Sequence, residues 1–164
     1  MVKEVRPLMA ITTIVPAVPQ RALCIPELGP RKRDSALQFM LAHARAAGAL
    51  RDVDSVHDAL LLRERLGSTA VGKGVAVPNA RALAVLDSHW VLARSERGID
   101  WNGPDGLPVH LVLLVLSPPE AAVRAHVESV AAAMTLTRLA RARARLLEAH
   151  GAEEMAAIIR LALP

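Results

Sequence analysis

The chain has 164 residues, about half of them apolar, yet only Phe39, Trp90 and Trp101 are aromatic, and its formal net charge is +4. That is the length of one domain, able to bury roughly 70% of the surface its unfolded form exposes, and its core must be aliphatic, with methionine as filler. So few aromatics leave little to stack bases on, which argues against nucleic acid, while the modest arginine excess admits an acidic or phosphorylated partner.

Residues 1–33 read as irregular, with five prolines between Pro7 and Pro30. Residues 11–15 and 22–25 are short apolar pieces that suit a turn and an edge strand. Lys3 and Arg6 ahead of the apolar residues 8–18 resemble a weak signal peptide, but Pro16 and Pro19 interrupt it and no small-x-small site follows. No run reaches the ~18 apolar residues of a membrane helix. Cys24 is the only cysteine, so no internal disulfide forms, and a reducing cytoplasm is the expected compartment. The thiol itself reads as a small buried hydrophobe.

Asp34 is placed to cap a helix whose stripe is Leu37, Met40, Leu41 and Ala44, ending at Gly48. Asp54 or Ser55 opens a second helix running to Leu66, with Val56, Leu60 and Leu66 near its buried face and Gly67 at its stop. Residues 74–77 and 88–95 are strand candidates, the latter mixing apolar and polar positions as a half-buried strand would. Residues 101–106 are dense turn chemistry. Residues 109–116, VHLVLLVL, are apolar enough for a central strand covered on both faces.

Pro118 and Pro119 are expected to start a helix, with Glu120 in its first turn. The helical pattern continues to about Ala149, with a break near Leu136–Thr137, and Gly151 separates a last helix over residues 152–161. There are no repeats and no linker. The fold class is α/β, a single layered domain with a mixed β-sheet flanked by helices: residues 1–13 form an irregular N-terminal segment and residues 14–164 the domain.

The glycine-dense stretch from Arg63 to Arg81, RERLGSTAVGKGVAVPNAR, is where function concentrates. Its Gly67–Gly74 portion nearly spells the nucleotide-binding GxxxxGK[ST] loop. Gly74 stands where a magnesium-ligating hydroxyl is required, and the loop leads from a helix into a strand rather than the reverse, so nucleotide hydrolysis is rejected. None of the six histidines forms a metal-ligand spacing, so no metal and no cofactor are expected. His126 stands out in a helix with an otherwise apolar face, where a partly buried, hydrogen-bonded histidine is the plain reading. Arg138, Arg141 and Arg145 share a helical face, as a solvated surface or a docking patch for an acidic partner.

The stretch LLLRERLGSTAVGKGVAVPNAR resembles the signature of the enzyme IIA domain of the fructose–mannitol and nitrogen-regulatory class, from the phosphoenolpyruvate-dependent phosphotransferase system. The family form is R-E-x-x-G-S-T-G-I-G-x-G-[IV]-A-[IV]-P-H-[AG]-[RK]. ARSERGIDWNGPDGLPVHLVLLVLSP, His126 and AEEMAAII follow in the family's order, so the resemblance spans residue 14 to the end.

It implies a domain whose histidine after the proline accepts a phosphoryl group from a histidine-containing phosphocarrier protein and passes it on, or signals with it. Arg63 matches the arginine, and His126 the second histidine, that help hold the group. Ser68, Thr69 and Lys73 join Arg63 as expected phosphate-binding residues.

The acceptor position holds Asn79. A neutral imidazole offers an in-plane nitrogen lone pair to phosphorus, whereas the amide nitrogen's lone pair is delocalised into its carbonyl and is not nucleophilic. The expectation is a non-phosphorylatable regulatory or binding module that keeps the family's docking surface for the phosphocarrier or a regulated target. The alternatives are an active carrier using His126 and a small-anion or metabolite sensor. No nucleic acid or membrane partner is expected, and a homodimer is admitted.

Overall fold

The computed structural model describes residues 22–163 together with residue 19; the turn expected at residues 11–15 and the domain boundary at residue 14 lie outside them. The two longest strands set the architecture. Residues His89–Ile99 (β5) and Val109–Ser117 (β6) pair antiparallel, with Trp90 opposite Val115 and Leu92 opposite Leu113. Short strands complete the sheet: Ala22–Ile25 (β1), Ala70–Gly72 (β2), Val75–Ala76 (β3) and Asn79–Arg81 (β4). Their order is β1-β5-β6-β3-β2, and β4 also pairs with β6. β1 runs parallel to β5, and β3 and β4 run parallel to β6, whereas β2–β3 and β5–β6 are antiparallel, so the sheet is mixed.

Helices cover both faces. Arg33–Ala46 (α1) and Val53–Arg65 (α2) lie on one, and Val123–Arg138 (α3), Ala140–Glu148 (α4) and Ala152–Ala162 (α5) on the other. The alternation of β6 shows why its sequence is apolar throughout. Val112, Leu114 and Leu116 join the α1–α2 core, while Leu111, Leu113 and Val115 join the α3–α5 core. A strand buried on both faces has no solvent side to make polar. The aliphatic expectation holds for most of the core, but its two largest buried side chains are Trp90 and Trp101, one on each side of the sheet. The Trp90 indole N–H donates to Ser129 Oγ at 2.9 Å, which satisfies its polar edge inside the core.

Several local expectations change. α1 has Lys32, not Asp34, at its N-cap; the Arg33 amide donates to the Asp100 carbonyl at 3.2 Å, and Asp34 pairs with Arg33 in the first turn. In α2 the cap is Asp52, which accepts from the Asp54 amide, and Leu66 lies beyond the helix end, 81% exposed. β5 is longer and more buried than a half-exposed strand. The Pro118–Pro119 pair leads into a turn, so Glu120 precedes a helix that starts only at Val123. The helix break falls at Leu139, whose extended ψ of 104° separates α3 from α4 and puts Arg138 on a different helix from Arg141 and Arg145.

Candidate functional site

The site is set by where β6 ends. β4 runs beside its last residues in the register Asn79–Val115, Ala80–Leu116, Arg81–Ser117. Ala80 and Leu116 face the α1–α2 core. Period-two alternation therefore turns Asn79, Arg81 and Ser117 to the α3 face, and His126, in the first turns of α3, comes down onto them.

Three polar side chains meet there. His126 Nδ1 is 2.8 Å from Ser117 Oγ, and its Nε2 is 3.4 Å from Asn79 Oδ1. The Asn79 amide nitrogen donates to the Val77 carbonyl at 3.2 Å. Arg81 reaches over the strand end and donates to the Pro119 carbonyl at 2.9 Å. Burial, and after it the positive charge of Arg81, hold the His126 imidazole below the ordinary histidine pKa, so the ring favours its neutral form.

The loop after α2 brings the other expected residues to the edge of this group. The Val77 amide donates to the Thr69 carbonyl at 2.9 Å, so residues 67–69 lie beside residues 77–78. Arg63, in the last turn of α2, donates to the Gly67 carbonyl at 3.0 Å and closes the loop on itself. The Ser68 hydroxyl accepts from the Ala70 amide at 3.2 Å.

Thr69 is differently engaged. It is 5% exposed, its hydroxyl donates to Glu64 Oε1, and its amide lies 3.2 and 3.3 Å from the two Glu64 oxygens. Trp101 Nε1 donates to the same carboxylate at 3.3 Å, and Arg33 approaches it at 3.8 Å. The Thr69 hydroxyl thus holds the loop to α2 rather than facing Asn79.

Lys73 is not brought to Asn79 at all. It turns the β2–β3 hairpin with a φ of 55°. Gly74 next to it lies against Pro108 and His110, whereas Asn79 lies against Val115. Val75 and Asn79 already pair with residues of β6 four apart, about 13 Å along the strand, and Lys73 is beyond Val75. Lys73 is a cation of the opposite pole.

Sequence reasoning brought Asn79, His126 and Arg63 to notice and missed Ser117 and Glu64. Ser117 carried a signal, as the one hydroxyl at the end of an apolar strand whose neighbours are leucine and valine. Among the described residues no cluster of His, Cys, Asp and Glu could hold a metal ion, and no helix is long and apolar enough to cross a membrane.

Comparison with known proteins accords with the fold. Residues 25–161 match the family profile described as "Phosphoenolpyruvate-dependent sugar phosphotransferase system, EIIA 2". A nitrogen regulatory protein of Bradyrhizobium diazoefficiens is 37% identical over 130 residues, 79% of this chain and 81% of that protein. The fructose-specific EIIABC component of Bacillus subtilis is 31% identical over 129 residues, 79% of this chain, which spans only 20% of that relative. Among solved structures, the nitrogen regulatory protein IIA-Ntr of Neisseria meningitidis matches with a TM-score of 0.73 at 27% identity, covering 87% of this chain and 96% of that one. From the strand end that positions Asn79 and His126 to the family profile over most of its length, the chain belongs to the EIIA type 2 family of the phosphoenolpyruvate-dependent sugar phosphotransferase system.

Proposed function

We propose that this chain is a regulatory or binding module of that family which does not itself carry the phosphoryl group. On this reading it acts in the cytoplasm and docks with a histidine-containing phosphocarrier protein or a regulated target, always in the unphosphorylated state. The observation that carries the proposal is Asn79, an amide at the position that the resemblance assigns to the acceptor histidine. Its nitrogen is not nucleophilic, and it is turned to the Val77 carbonyl.

The hydrogen bonds also weigh against His126 as a substitute acceptor. With the Asn79 nitrogen donating to Val77, Oδ1 is left facing His126 Nε2, and an amide oxygen only accepts. Nε2 is then the protonated nitrogen. The lone pair sits on Nδ1, where the Ser117 hydroxyl donates to it. In a neutral ring of this tautomer neither nitrogen offers a free lone pair to phosphorus.

A second reading, reception of a small anion at the same place, has one observation in its favour. Arg81 is near enough to lower the pKa of His126, and so to attract a negative charge there.

The deciding experiment incubates the protein with phosphoenolpyruvate, enzyme I and a cognate phosphocarrier, and reads intact mass. No phosphoryl increment is expected in the wild-type chain. Asn79→His is expected to gain one, because an imidazole at this position can donate Nδ1–H to Val77 and present Nε2. A wild-type increment mapped to His126 would overturn the proposal in favour of a working carrier.

A further inference from the structure

At the pole opposite Asn79 the surface holds a cavity of about 490 Å³, walled in part by Arg31, Lys32, Arg97, Asp100, Asn102 and Leu107. We propose that it is a second anion site, separate from the Asn79 group, which takes a small phosphorylated metabolite carrying at least two negative charges.

Charge is the first argument. Three cations against the single carboxylate of Asp100 leave the wall with two net positive charges. Among the described residues no ion pair engages Arg31, Lys32 or Arg97. Asp100 is partly occupied by its own turn, its Oδ1 accepting from the Asn102 amide at 3.3 Å. Unpaired guanidinium groups are the side chains best shaped to take phosphate oxygens two at a time.

The second argument is that the cations stand on fixed backbone. Asp100 stitches the start of α1 to the end of β5: its amide donates to the Arg31 carbonyl at 2.8 Å, and its carbonyl accepts from the Arg33 amide at 3.2 Å. Arg97 is held from the other side through Gly98. That residue has a φ of +82°, and a Cβ on it would meet Pro108 Cβ at 2.9 Å and the His110 ring at 3.0 Å, so nothing larger than glycine fits. Arginines on such a frame lose less freedom on binding than arginines on a mobile loop.

Size and lining fit the same class of ligand. The volume lies within the roughly 300–1,000 Å³ range of small-molecule sites, and Leu107 and Pro108 give an apolar wall for the uncharged body of the ligand. The tip of the β2–β3 hairpin abuts the same loop, a Cβ on Gly72 lying 3.7 Å from Asp105 Oδ2, so Lys73 and Asp105 bring charges of opposite sign to this pole and leave the cavity's own balance unchanged. Ile99 pairs with Val109 here, and Asn79 with Val115, which puts the two sites about 20 Å apart along β6.

The test is calorimetric titration of the whole chain with pyrophosphate and with a hexose bisphosphate, with sulfate as the control anion, in wild type, Arg97→Ala, Arg31→Ala/Lys32→Ala and Arg63→Ala. Both phosphorylated probes are expected to bind more tightly than sulfate, with affinity falling about tenfold or more in each of the first two variants and staying unchanged in Arg63→Ala. These are surface positions, and circular dichroism confirms that each variant is folded. The proposal is overturned by an absence of binding at millimolar probe, by sulfate binding as tightly as the probes, by affinity that survives Arg97→Ala, or by loss on Arg63→Ala, which would move the anion to the Asn79 pole. None of these outcomes depends on whether Asn79 can be phosphorylated.

Discussion

The Arg94 guanidinium lies 2.6 Å from the Ala149 carbonyl oxygen, joining the middle of β5 to the chain just past the end of α4. The same side chain donates to the carbonyls of Pro26 at 2.9 Å, Leu147 at 3.0 Å and Leu146 at 3.3 Å. It therefore satisfies the last carbonyls of a nine-residue helix that has no intrahelical donors left for them. A lysine has one nitrogen and cannot span these acceptors. Arg94→Lys is expected to cost about 2 kcal/mol, a fall in Tm of roughly 4–8 °C. Amide exchange should quicken first in α4. Uniform quickening across the sheet would show that Arg94 does not hold α4 in particular.

Glu64 is the hub of the loop that carries Arg63 and Ser68. Its side chain is 2% exposed and accepts from the Thr69 hydroxyl, the Thr69 amide and the Trp101 indole. Glu64→Ala strands those buried donors and should lower unfolding free energy by about 3 kcal/mol in urea. Glu64→Gln keeps an acceptor oxygen and should cost less, about 1 kcal/mol. Equal losses in the two variants would mean that the loop is held by the ionised carboxylate with both its acceptor oxygens, which glutamine lacks, and not by side-chain packing or a single retained acceptor.

Protonation of His126 links the site to pH. Its pKa in the folded chain lies below the ordinary value, because of burial first and Arg81 second. The unfolded chain then takes up the proton first as pH falls. The stabilising contribution is complete above the unfolded value of about 6.5 and is lost as pH drops through that value towards the folded one. His89 is lowered by burial too, against the opposing charge of Asp87, so it adds to the same slope. Melting temperatures taken from about pH 7.5 to about pH 5 should fall less steeply in His126→Gln than in wild type. Identical slopes would remove His126 from the linkage.

Cys24 is half-buried on β1, and burial pushes its thiol up to about 11, against a smaller opposing pull from Arg160. The thiolate is the reactive form. Ellman's reagent at mildly alkaline pH should therefore react roughly a hundredfold more slowly with the folded chain than with the chain in urea. Comparable rates would place the sulfur in open solvent.

Elements governed by local pattern were legible in the sequence, and those governed by pairing were not. Leu37, Met40, Leu41 and Ala44 all lie buried on α1, and the apolar residues 109–116 became the two-sided strand β6. The sheet order was out of reach, because β1, β3 and β4 pair with strands far away in the chain. The same limit explains Lys73. Its closeness in sequence to Asn79 suggested a shared pocket, but the hairpin between β2 and β3 carries it to the other end of the sheet. Ser117 escaped notice for a related reason. Its role exists only once β4 lies beside the end of β6 and α3 folds back over both.

The Val77 carbonyl that receives the Asn79 amide is a feature of the backbone, and it does not depend on the side chain it currently serves. Asparagine and histidine codons differ only in their first base. If the proposed reading holds, a single transversion separates this chain from one with an imidazole at the acceptor position. Its silence would then be a genetic state that selection can change in one step, and a population placed under demand for phosphoryl flow would be expected to yield histidine at codon 79 first.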